Sequence, residues 1–347
     1  MTIFDLMTSQ NIVAYWEVLL QDEAPYPCEE LFPDDKKRGI SLKWIKGAKG
    51  LPVVLKTSAF DAAAIPRARI GFEKLSAEMP YFKESTYIDE ELRQELNLVL
   101  ETGNQAYIDS VMNNIFDDEM RLLRGARASR ERMRMQALTT GVVAMASNGQ
   151  AFTYDYGIPE ANKVTVNVSW SDLTNSDPIK DIRDLKKVIK NATGVECTRA
   201  MCDEATLDYI CNNTKIKTAI YALRSNIGEI TYDEAIRYVE NRTGVRIRTN
   251  DMRYADESGE TQAFMPANTF VIFPAGTLGK TWFGTTPAES DLLTSGIANV
   301  AITETGVAVT TAKKVDPVQI ETIVSMICLP SFEGANHVGI IDVIKGD

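Results

Sequence analysis

Apolar positions recur with different periods along the chain, and each change of period marks a new segment. Over residues 103–140 the period is helical. On a wheel of 100° per residue, Ile108, Met112, Ile115, Leu122, Ala126 and Met133 fall within about 80° of one another. At 1.5 Å per residue the predicted helix reaches roughly 50 Å if unbroken. Gly125 costs about 1 kcal/mol against alanine and is where the helix would bend. Arg121, Arg124, Arg127, Arg132 and Arg134 lie outside the stripe, a face expected to meet solvent, a subunit or DNA.

From residue 141 the period falls to two. "GVVAMASNGQAFTYDYG" predicts a hairpin turning at Asn148-Gly149, and "KVTVNVSW" a strand with Val164, Val166 and Val168 on one face. Asp177 and Pro178 then open a helix as cap and first residue. "CDEATLDYICNN" predicts a short helix with Asp203 available to cap it. "TYDEAIRYVENRTG" carries a Thr231/Glu234 capping box and ends at Gly244. "VRIRTNDMRYADESGETQAF" predicts a second hairpin, turning near Ser258-Gly259. From residue 291 the pattern returns to strands.

The first 82 residues have too little apolar surface for a core. Residues 1–40 form an acidic arm in which Pro25, Pro27 and Pro33 block a long helix. Residues 41–82 carry Lys43, Lys46, Lys49, Lys56, Arg67, Arg69 and Lys74 against Asp61, Glu73 and Glu78. Strand-like pieces at Val53–Lys56 and Ala68–Phe72 make this a basic hairpin. A lone hairpin is marginal in water. Arm and hairpin are therefore expected to rest on another chain, with opposite charge between them.

Composition narrows the function. The chain has 347 residues, 44% hydrophobic and 24% charged, enough for two domains with a core. Its net charge of −11 argues against a dedicated nucleic-acid binder. Five cysteines have neither framework nor zinc-ligand spacing. His337 is the one histidine, so His-His metal pairs are excluded and a Ser/His/Asp triad would have to use it. "MTIFDLMTSQN" lacks the order of a signal peptide, and no apolar run approaches the ~18 residues that span a bilayer.

One stretch imitates a nucleotide site. "FVIFPAGTLGKT" reads as a strand followed by Gly-Lys-Thr, but Pro274 stands where a P-loop needs its first glycine. Trp282, Phe283, Gly284 and Pro287 oppose the helix that must follow. The expectation is strand, turn, strand.

The longer segment "FMPANTFVIFPAGTLGKTWFGTTPAESDL" resembles the lambda-type major capsid protein E family. So do "WSDLTNSDPIKDI", with Trp170, Asp177-Pro178 and Asp181, and "DPVQIETIVSMICLPSFEGANHVGIIDV" near the end. The resemblance covers roughly 140–347. It implies an α+β, Hong Kong 97-like major capsid fold. Residues 1–40 would be the N-terminal arm, 41–82 the extended E-loop, and 178–290 the axial domain. Residues 83–177 would form the peripheral domain, with a spine helix at about 103–140, and 291–347 its C-terminal part.

The function so implied is that of a tailed-phage head protein, assembled in the host cytoplasm and resident in the virion. Its partners would be copies of itself in hexamers and pentamers, a separate scaffolding protein, a portal, and packaged double-stranded DNA bound without sequence specificity. A decoration protein is left open, and no membrane is involved. Intersubunit contact candidates are Trp16, Glu29, Glu30, Asp34 and Asp35 on the arm, and Trp44, Lys46, Lys49, Lys56, Arg67 and Arg69 on the loop. Arg121, Arg124 and Arg127 on the helix complete the set. No catalytic, cofactor-binding or metal-ligating residue is expected. The alternatives are an encapsulin-type compartment shell and a soluble enzyme using Asp117, Asp118 and Glu119.

Overall fold

Thr8 opens the first helix, its backbone extended and its hydroxyl accepting from the amide of Asn11 at 3.3 Å. The computed structural model describes residues 7–46, 73–88, 90, 94, 98, 105–147, 149–223, 229–256, 258–316 and 318–345. Its helices are α1 (Ser9–Asp22), α2 (Gln105–Thr139), α3 (Pro178–Thr193), α4 (Glu204–Asn212), α5 (Thr214–Leu223) and α6 (Tyr232–Thr243). The strands begin with β1 (Asp34–Lys36), β2 (Ser41–Lys46), β3 (Glu73–Glu78), β4 (Tyr81–Ile88), β5 (Val142–Ser147) and β6 (Gln150–Asp155). Next come β7 (Lys163–Thr165), β8 (Cys197–Cys202), β9 (Arg246–Thr249), β10 (Arg253–Ala255), β11 (Thr261–Ala263) and β12 (Thr269–Pro274). The last are β13 (Lys280–Phe283), β14 (Asn299–Thr303), β15 (Val307–Val315), β16 (Val318–Ser331) and β17 (Gly339–Asp342).

Two units divide the chain. One gathers Met1–Leu42, Ser76–Met133 and Lys280–Ser331; the other gathers Lys43–Leu75, Arg134–Gly279 and Phe332–Asp347. The first is organised by β16, a 14-residue strand. Along one edge it pairs with β15; along the other it pairs with β4 over Ile320–Ile327 and then with β13 over Cys328–Ser331. β14 extends the sheet beyond β15, and β1 runs parallel to β13. Gly284 sits where an added Cβ would meet the carbonyl oxygen of Gly39 at 2.8 Å, so only glycine lets the two backbones approach there.

The second unit is a five-stranded mixed sheet, in the order β7-β17-β12-β8-β9, with α3, α4, α5 and α6 on its core. Ile182, Leu185 and Ile189 of α3, at helical spacing, are fully buried against it. At Gly339 a Cβ would meet Ile189 Cδ1 at 2.7 Å, so α3 closes onto β17 through the missing side chain. Asp177 accepts from the amide of Lys180, Pro178 is the first helical residue, and Gly194 ends α3 at φ 74°. The Thr231/Glu234 capping box and the left-handed Gly244 bound α6.

Several expectations need correction. Asp203 precedes α4 but makes no capping hydrogen bond; Asp251 accepts from the amide of Glu204 at 2.9 Å instead. The strand expected through "KVTVNVSW" stops at Thr165. Its continuation is irregular but still follows the end of β17, with the amides of Val166 and Trp170 donating to the carbonyls of Asp342 and Val343. Trp170 is buried with its indole donating to Asp181 at 2.9 Å. The C-terminal stretch also divides: β17 joins the sheet of the second unit while β14 to β16 belong to the first. Strand pairing, not proximity in sequence, assigns it. The hairpin pieces Val53–Lys56 and Ala68–Phe72 lie outside the described residues.

Candidate functional site

Arg124, Arg127, Arg130 and Arg134 recur every three or four residues along α2, so they share one broad helix face. Periodicity placed arginines on the wet side of this helix. Arg127, Arg130 and Arg134 are in fact buried, as are Met120, Leu123 and Met133. The chain that follows α1 supplies what neutralises the first three.

Arg124 Nε donates to Glu23 at 2.7 Å. Arg127 reaches Glu23 through Nη1 at 3.1 Å and holds Glu29 with a fork, Nε to Oε1 at 3.0 Å and Nη2 to Oε2 at 3.2 Å. Its guanidinium also stands over the Tyr26 ring, 5.0 Å from the centroid. Arg130 donates to Asp34 at 3.2 Å, pairs with Glu304, and lies over Phe283. Beside them, Glu131 accepts from the amide of Cys28 at 3.0 Å. Such bidentate, charge-assisted bonds are the strong class of ion pair. Burial would lower the pKa of Arg127, but its hydrogen bonds to Glu29 and the charges of Glu29, Glu304 and Glu23 outweigh it and raise the value.

Residues 9–36 therefore dock on their own unit, which corrects the expectation that the arm lies on a neighbour. Ile12, Val13 and Trp16 form the buried face of α1. Ser9 N donates to Asn299 Oδ1 at 3.1 Å, and the indole of Trp16 donates to Glu304 at 3.2 Å. Glu304 thus receives Trp16 and Arg130 together from a left-handed backbone at φ 48°. The arm is indeed poor in apolar surface. The partner it needs is supplied by its own sheet and α2.

The other contact candidates are dispersed. Asp35 pairs with Lys280 at 2.6 Å, and Glu30 and Arg121 are exposed. Trp44 is buried within the second unit against Tyr154 and Tyr156, with centroids 5.3 and 5.9 Å away. Lys46 is buried there too and donates to the carbonyl oxygen of Gly157. These two are core of their own chain rather than free contact groups. Lys49, Lys56, Arg67 and Arg69 lie outside the described residues. Arg130, Glu23 and Glu304 were missed; the i, i+3, i+7 spacing of Arg127, Arg130 and Arg134 was the signal for the first.

No catalytic constellation forms among the described residues named as candidates. Asp117 is exposed, accepting from Tyr15 at 3.5 Å, whereas Glu119 is buried, so the two do not converge. His337 is buried and its carbonyl accepts from the thiol of Cys197 at 3.3 Å. The strand–turn–strand reading of "FVIFPAGTLGKT" holds: β12 ends at Pro274, β13 starts at Lys280, and Lys280 lies over Trp282 while paired to Asp35. Among the described residues no group of three or more His, Cys, Asp or Glu is placed to hold a metal. Nor is any helix among them long and apolar enough to cross a membrane.

Comparison with known proteins gives this arrangement a setting. The sequence profile of phage major capsid protein E matches residues 44–338. A prophage capsid protein of E. coli CFT073 superposes with a TM-score of 0.61 at 15% identity, covering 97% of this chain and 99% of that one. A phage-related protein of Bordetella bronchiseptica RB50 gives 0.54 at 14% identity, over 95% and 96% of the two chains. The capsid subunit of cyanophage A-1(L) gives 0.50 at 13%, over 91% and 92%. No curated protein matches the sequence. At these identities the structural likeness carries the fold, and the Hong Kong 97-like expectation agrees with it.

Proposed function

The chain belongs to the phage major capsid protein E family and is a shell protein of the phage capsid, and from that premise we propose how it builds the shell. Copies associate as hexamers and pentamers of an icosahedral head that encloses double-stranded DNA. A separate scaffolding protein guides assembly in the host cytoplasm, and a portal occupies one vertex. The family match over residues 44–338 is the observation that carries this reading.

Physical features support it. A net charge of −11 suits a wall that must not adhere to the DNA it holds. Many modest contacts repeated under symmetry give collective strength without strong pairwise affinity.

Residues 41–82 take the role of the extended loop proposed to reach a neighbouring subunit, and Trp44 and Lys46 near its start are buried in their own chain. Replacing residues 47–72 with a short Gly-Ser turn is expected to leave a folded subunit that no longer assembles. Negative-stain microscopy of the expressed protein, alone and with its scaffold, tests the whole reading. Hollow closed particles or rings from the full chain support it, and a persistent monomer under all conditions opposes it. Particles around a cargo enzyme instead of DNA would favour the encapsulin alternative.

A further inference from the structure

Against the acidity of the chain, one concave surface is basic. An open groove of about 660 Å³ lies between α3, α5 and α6 of the second unit. Lys180, Arg183, Lys187, Lys215 and Arg242 line it, against the carboxylates of Asp177 and Asp184, a balance of five cations to two anions. Lys180 pairs with Asp184 at 3.3 Å, and Lys215 donates to the carbonyl oxygen of Asn175. Arg183, Lys187 and Arg242 have no carboxylate within ion-pair distance among the described residues. Ile179, Ile216, Ala219 and Tyr238 complete the lining. A basic groove with some apolar lining fits an acidic polypeptide segment better than a bare phosphate chain.

A segment of that chemistry stands on the same unit and is absent from the groove lining. The two-stranded ribbon of β10 and β11 exposes Arg253, Ala255, Thr261, Gln262 and Ala263, and is anchored by Tyr254 packed at a tilt on Phe264, centroids 4.8 Å apart. Asp256 and Glu260 are the described carboxylates of the tip, with Arg253 further down the ribbon. Asp256 fixes the tip: its Oδ1 accepts from the amide of Ser258 at 2.9 Å, from that residue's hydroxyl at 2.6 Å and from the amide of Glu260 at 3.0 Å. A preset acidic knob loses little freedom on docking, whereas a two-stranded ribbon left uncovered is marginal.

We propose that the acidic tip of this ribbon seats in the basic groove of a neighbouring copy. Groove and knob are different surfaces of one unit, so the contact is head-to-tail and, under rotation, closes into a ring. The inference rests on the shell reading above, which places identical copies side by side.

Charge reversal in the full-length protein tests it. Arg183→Glu and Glu260→Lys are each expected to cut the particle fraction on sedimentation at least about tenfold. The double variant is expected to recover to near wild type. The contact is overturned if either single variant assembles normally, or if both fail while folded and the double variant does not recover. It is equally overturned if Arg183→Glu assembles normally but no longer retains duplex DNA at low salt, which would assign the groove to nucleic acid. Should a reversed variant misfold by circular dichroism, Arg183→Gln and Glu260→Gln replace it, and each must still lower the yield. Wild type failing to assemble would defeat the shell reading and the contact together; wild type and Arg183→Glu both assembling would defeat the contact alone.

Discussion

Arg127 and Glu29, 98 residues apart in sequence, meet through two parallel hydrogen bonds of 3.0 and 3.2 Å. The arginine side chain is 7% exposed and the glutamate 29%. Removing the cation leaves Glu29 and Glu23 facing each other with only partial access to water. Arg127→Ala is expected to cost about 2–3 kcal/mol in urea unfolding, the lower end for a buried pair because the carboxylates can rehydrate. Arg127→Lys cannot reproduce the fork or the stacking on Tyr26 and is expected to recover less than half of that loss. A variant indistinguishable from wild type would mean that the arm is not held by this pair.

Gly125 lies inside α2, exposed, and a methyl group added there would meet nothing within 4 Å. The expected bend at that glycine does not interrupt the helix, which runs unbroken for 35 residues. Gly125→Ala is therefore expected to stabilise the protein by about 0.5–1 kcal/mol through helix propensity and a less flexible unfolded chain. A raised thermal midpoint checks this; a lowered one would imply that the site needs space for a partner.

Acid weakens one link between β1 and β13. Hydrogen bonds from Lys280 and from the amide of Lys36 hold the Asp35 carboxyl below the usual carboxylate range. Its stabilisation is present above the unfolded pKa near 4 and is lost as pH falls through the lower folded value. Both side chains are more than a third exposed, so the contribution is at most about 1 kcal/mol. The stability gap between wild type and Lys280→Met is expected to narrow as pH drops from 6 to 3, and a constant gap would contradict the assignment.

All five cysteines are buried and none forms a disulfide. Burial pushes the Cys197 thiol up to about 12 and that of Cys211 up to about 11, and raises Cys202 as well. Each shift favours the unreactive thiol form. Titration with a chromogenic disulfide at pH 8 is expected to run roughly a hundredfold slower in the native protein than in denaturant, where all five thiols react. Rapid native labelling would show the cores opening.

Local chemistry was the legible part of the sequence. Pro178, the Thr231/Glu234 box and Gly244 act through neighbours a few residues away, and the helix ends they mark lie where expected. The buried face of α2 was legible only in part. Charge was read as exposure, while Arg127 and Arg130 are matched by carboxylates about 100 residues earlier and, for Arg130, by Glu304. Periodicity carries no information on such pairs. Nor could it show that Trp44, set among lysines, packs on Tyr154 and Tyr156, or that β17 leaves the strands before it to join another sheet.

The position of β17 has a consequence for synthesis. It is the last strand of its sheet to leave the ribosome, yet it lies second in the order, between β7 and β12. Until it emerges, β7 has no partner among the described strands and β12 has one open edge. The nascent second unit must therefore wait with bare backbone exposed, an interval in which chaperones rather than sister subunits are its proper company.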